Sequence, residues 1–143
     1  MNNAVLKLAA LLLLASSFFA CEEETSLRKQ LIGHWQSSKV IIVENDAAVE
    51  VRDSLSFDLL LEESLNYKME TTTKSLNNPT PVKDTIKGDW AIEEINHFLT
   101  LSDFNSTPIK AWDVSSISET QMTLEAFWDN NTQKLFRITF DRK

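Results

Sequence analysis

One cysteine, one tyrosine, two glycines, two histidines and three prolines are all that these five residue types contribute to 143 positions. Each scarcity excludes something. With Cys21 alone there is no intrachain disulfide, so the fold must be held by its core. His34 and His97 have no second cysteine to join them and no ligand spacing to each other, so no metal or other cofactor is expected. Gly33 and Gly88 lie far apart, and no serine can sit in a G-x-S-x-G elbow between two glycines. A serine nucleophile would also need a histidine base and an orienting acid, and nothing in the spacing brings these together. The chain is therefore not expected to be an enzyme. Bases are scarce as well: 14 Lys and Arg against 21 Asp and Glu give a formal charge of −7. Such a surface repels nucleic acid and anionic phosphate. Finally, no apolar run reaches the roughly 20 residues needed to span a bilayer.

What is present begins at the N-terminus. Residues 8–20, LAALLLLASSFFA, are apolar and uncharged, follow the single base Lys7, and run directly into Cys21. That length suits the apolar region of a secretion signal. The four residues Phe18-Phe19-Ala20-Cys21 resemble a bacterial lipoprotein lipobox, with a small residue ahead of the cysteine. The resemblance implies cleavage before Cys21, diacylglycerol on its thiol and an acylated new amino terminus. Residues 1–20 are then a lipoprotein signal peptide and 21–26 an acidic tether that starts with Glu22-Glu23-Glu24. An acidic run at this place resembles the surface-export signal of Bacteroidetes lipoproteins. The mature chain of 123 residues carries 13 bases against 21 acids, and that length allows one domain, 27–143.

Within that domain the hydrophobic period changes once. Leu27, Leu31 and Ile32 stand at helical spacing after Thr25 or Ser26 as N-cap, so a short helical turn is expected up to Gly33. From there the period is two. Leu55, Phe57, Leu59 and Leu61 alternate, as do Leu65, Tyr67 and Met69, then Ile86, Gly88, Trp90 and Ile92, and then Leu99 and Leu101. Trp112 and Val114, then Met122, Leu124, Ala126 and Trp128, then Phe136, Ile138 and Phe140 continue it, and the first such strand covers 35–43. Alternation of this kind marks strands with one buried and one wet face. Polar breaks separate the runs. Most are hairpin length, and the longest, 75–81 with Pro79 and Pro81, is expected to be an open loop. Eight strands at this spacing leave no room for crossover helices. The fold class expected is all-β, an eight-stranded antiparallel up-and-down barrel, because closure removes exposed edges.

Both glycines stand two residues before a tryptophan, as Gly33-His34-Trp35 and Gly88-Asp89-Trp90. Positions two apart share a strand face, so each glycine leaves room for an indole over bare backbone or lets the strand bend. A short helix, Gly-x-Trp opening the first strand, a second Gly-x-Trp in mid-chain and the eight-strand meander together resemble the lipocalin-like domains of Bacteroidetes lipoproteins. That resemblance implies a barrel able to hold a small apolar ligand and supplies no catalytic residue. The inward set Trp35, Phe57, Tyr67, Trp90, Trp112, Trp128, Phe136 and Phe140 is large for such a barrel, which is either filled by its own side chains or holds one small ligand. If there is a ligand pocket at one mouth, Tyr67, Trp90 and Trp112 are the expected lining, since these residues combine apolar area with a polar handle. Two functional readings follow. One is a lipid-anchored binding or interaction module of the cell envelope, placed at the outer membrane through Cys21 and meeting an envelope protein. The other is a carrier of a small hydrophobic ligand.

Overall fold

A computed structural model of the chain describes residues 26–75, 77–102, 111–128 and 131–143, without the side chains of 78, 79, 128 and 131–133. The signal segment, Cys21 and most of the acidic tether lie outside the described residues, and so does the side chain of Trp128. Helix α1 (Leu27–Leu31) leads into strands β1 (Gly33–Glu44), β2 (Ala47–Glu50), β3 (Leu55–Leu61), β4 (Asn66–Ser75) and β5 (Asn78–Glu93). Strands β6 (Phe98–Leu101), β7 (Trp112–Ile117), β8 (Gln121–Trp128) and β9 (Asn131–Arg142) complete the chain. All pairings are antiparallel between neighbours, and β9 pairs back onto β1 from Arg142 opposite Trp35 to Lys134 opposite Glu44. The sheet thus closes into the expected eight-stranded barrel of β1 and β3 to β9.

Strand β2 is additional. It pairs with the far half of β1, Ile41 to Glu44, while β3 takes the near half, Gly33 to Gln36. Asn45 and Asp46 both have positive φ, 51° and 64°, which is what a two-residue type I′ hairpin requires. The alternation in β1 also changes phase. The ladder with β9 slips between Ser37 and Lys39, so the interior face passes from Trp35 and Ser37 to Val40 and Ile42. Buried Ser37 accepts the Phe57 amide on its Oγ at 2.8 Å and keeps that interruption satisfied.

The open loop expected at 75–81 is not what forms. Strand β4 runs to Ser75 and β5 begins at Asn78 opposite it, so the connection is a tight hairpin that carries both prolines in β5. Trp90 donates to the Leu65 carbonyl, and that fixes the phase of the ladder. It turns the Pro81 nitrogen away from β4. On that side, among the described residues, β6 pairs with β5 over Trp90–Glu93, so the N–H that Pro81 lacks is missed by no ladder among them.

The interior is one cluster of buried side chains, with Trp35, Val40, Leu59, Leu99 and Met122 wholly inaccessible. A water-sized void beside any of these would leave part of it accessible. At these positions the barrel is filled by its own side chains.

Candidate binding surfaces

The end of the barrel carrying α1 is closed by polar contacts around Trp35. The helix is too short to hold itself, and both its ends are satisfied by other elements. At its start Glu94, in the β5–β6 turn, accepts Leu27 N at 3.0 Å and Arg28 N at 3.1 Å, and Ser26 Oγ accepts Lys29 N. At its end the Trp35 indole donates to Leu31 O at 2.8 Å. Arg142 donates to Gln30 O at 2.7 Å and Ile32 O at 2.9 Å, with its guanidinium 4.1 Å from the Trp35 ring centroid. Gly33, at φ 151°, allows this approach, since a Cβ there would lie 2.6 Å from Arg142 Nη1. Arg142 escaped the sequence reading, although a signal was there. It follows Phe136, Ile138 and Phe140 at the next inward position, where a charge demands an explanation.

The second Gly-x-Trp has different partners. The space at Gly88 is taken by Ser102, whose Oγ and carbonyl oxygen would lie 2.7 and 2.8 Å from a Cβ, and by the Tyr67 ring at 3.0 Å. The indole of Trp90 does not occupy it. That indole donates to Glu62 O at 2.9 Å in the β3–β4 turn, and the Tyr67 hydroxyl donates to Ser102 O. The structure therefore places Tyr67 and Trp90 toward the end covered by α1, with their polar atoms on backbone carbonyls. Trp112 stands beside Leu99, buried like the other two.

Among the described residues two concave surfaces stand out. At the end opposite α1, the inner face of the β1–β2 hairpin extends beyond the filled core and forms an open recess of about 340 Å³. Ile42, Val49 and Val51 line it, with the ion pair Glu44–Lys134 at 3.9 Å on one side. The sequence reading missed this recess because it had no β2. The other surface is a cleft of about 550 Å³ lined by Leu60, Glu62, Asn66, Tyr67, Lys68, Lys87, Gly88 and Asp89, so of the three expected pocket residues Tyr67 reaches it, while Trp90 and Trp112 are not in its lining. Lys68 and Lys87 stand directly opposite each other on β4 and β5. A pair of like charges in register is unfavourable unless a counter-charge lies near, here Glu62 and Asp89. Among the described residues no group of three or more His, Cys, Asp or Glu is placed to hold a metal ion.

His34 turns away from the core and meets Asp58, whose other oxygen takes Lys143. Partial burial raises the Asp58 carboxyl, but the bonds and charges of Lys143 and His34 outweigh it and hold the group below its ordinary 3.8. A depressed folded value means a contribution that is present above about pH 4 and lost as pH falls through the folded value. Asp58→Asn should therefore flatten the acid limb of stability, by no more than about 1 kcal/mol for so exposed a cluster. Urea midpoints at pH 7 and pH 3 measure this, and the wild type should lose more between the two than the variant.

A scan of protein-family models finds no match to the chain, and a search of curated proteins likewise finds none.

Proposed function

We propose that this chain is a lipid-anchored, non-catalytic binding module of the cell envelope, tied through acylated Cys21 to the outer membrane. The observation that carries the reading is how the barrel uses its interior. Trp35, Tyr67 and Trp90 direct their polar atoms to the chain's own carbonyls, so side chains free for recognition lie on the outside. A barrel of this kind is a rigid scaffold, and its outer clefts and hairpins meet the partner. The resemblance of the leader to a lipobox and of the strand pattern to lipocalin-like lipoproteins supports the same reading. At about 0.8 kcal/mol per buried methylene, two or more acyl chains make such an anchor stable where one is marginal.

A second reading, a carrier of a small hydrophobic molecule, is favoured by one feature. Ile42, Val49 and Val51 continue the apolar interior into the open recess at the mouth. Native mass spectrometry of the protein extracted from its own host's membranes separates the two. The binding-module reading expects a chain that begins at Cys21 and carries acyl groups, with no further hydrophobic adduct. An adduct lost on gas-phase activation would transfer the proposal to the carrier. A Cys21→Ser variant should leave the membrane fraction, and one that remained there would refute the anchor.

A further inference from the structure

The β5–β6 turn carries an isoleucine that the fold does not use. Ile95 is 89% exposed, between Glu94 and Asn96 at the tip of the turn, and Phe98, three residues on, is 43% exposed. Single exposed apolar residues are ordinary, so exposure alone decides nothing. Position does. Glu94, the residue before Ile95, binds the first two amides of α1, so the turn is fastened to the point where the tether enters the domain. From Cys21 to Ser26 is five residues, a span of at most about 18 Å even when fully extended. If Cys21 carries its lipid in the bilayer, Ile95 is held within a short distance of the same bilayer surface. An apolar tip at that place, where a turn would ordinarily present a polar residue, has lipid as its neighbour.

We infer that the β5–β6 turn is a membrane-contacting element, with Ile95 inserted at the headgroup–acyl boundary and Phe98 beside it. This rests on the proposed acylation of Cys21. The partner is the lipid surface itself, and its effect is to fix orientation. With the α1 end against the membrane, the recess lined by Ile42, Val49 and Val51 at the other end faces away from it. The excess of acids over bases disfavours a role for anionic headgroups, so the contact is apolar and works on zwitterionic lipid.

The scarcity of cysteine makes the test clean. In the mature chain the only native thiol is capped by lipid, so Ile95→Cys introduces the single site for an environment-sensitive fluorophore. Val82→Cys, at a position 62% exposed toward the opposite end of β5, is the control. Both labelled lipoproteins are reconstituted into phosphatidylcholine vesicles and floated. The expected result is blue-shifted emission at position 95, quenched by lipids spin-labelled just below the headgroup, with neither effect at position 82. Vesicles that float with protein while the label at 95 behaves like the label at 82 would overturn the inference and leave the anchor standing. Protein that fails to float overturns the anchor, and the inference falls with it. Because Ile95 lies outside the core, the substitution leaves the fold intact, and unchanged circular dichroism checks this.

Discussion

Trp35→Ala is expected to destabilise the domain by about 3–5 kcal/mol, the range for emptying a large aromatic site in a packed core. The residue is wholly inaccessible, and three losses coincide there. The indole's volume goes, Leu31 O loses its donor, and the Arg142 guanidinium loses the ring 4.1 Å beneath it. Since α1 has too few residues for independent stability, losing a bond at its C-terminal end should also loosen the helix. Urea titrations followed by far-ultraviolet circular dichroism measure the effect without depending on the tryptophan that was removed. Trp35→Phe separates the parts. It keeps most of the volume and loses the N–H, so about 1–2 kcal/mol is expected. Arg142→Met in both backgrounds then reads the coupling between cation and ring, expected at about 0.5–2 kcal/mol. A coupling near zero would mean that Arg142 acts only through the carbonyls of Gln30 and Ile32.

How much of this was legible in the sequence depends on what sets each feature. Alternation is a local signal of burial, and it located the barrel strands because each buries one face. It also identified Trp35, Phe57, Tyr67, Trp90, Trp112, Phe136 and Phe140 as interior. Strand β2 sends no such signal, since Ala47, Ala48, Val49 and Glu50 are all exposed and exist as a strand only because β1 overshoots β3. The hairpin from β4 to β5 was hidden by Pro79 and Pro81, which read as breakers until the register of β5 on β4 is known. Which end of the barrel an interior residue occupies is set by register and by which turn α1 covers, and periodicity contains neither. That is why Tyr67 and Trp90 could be read as inward but not placed relative to the mouth. The apolar tip at Ile95 was visible as a residue, whereas its nearness to the tether arises only from the Glu94 contacts with α1.

Gly88 is where the second Gly-x-Trp makes its strongest demand, and Gly88→Ala is expected to destabilise the domain by about 1–3 kcal/mol, the range for overpacking. Ser102 is held against β5 from both sides. Its amide donates to Asp89 O at 2.8 Å, its Oγ accepts Asp89 N at 2.7 Å, and its carbonyl accepts the Tyr67 hydroxyl. A Cβ on residue 88 would meet that carbonyl oxygen at 2.8 Å, and a backbone atom cannot turn aside as a side chain can. Either β6 moves outward or the strand twists, and both weaken the joint where β6 bridges β5 and β7. Ser102→Ala removes the Oγ clash and keeps the carbonyl clash. If the backbone contact dominates, the double variant should recover less than half of the loss in urea midpoint. Recovery to the level of Ser102→Ala alone would instead assign the strain to the hydroxyl. A second readout is specific to the site, because Tyr67 is the only tyrosine in the chain. Its Raman doublet should report a donating phenol in the wild type and a weakened bond in Gly88→Ala. A doublet unchanged in a destabilised variant would show that Ser102 had held its place and that the strain lay elsewhere in β5.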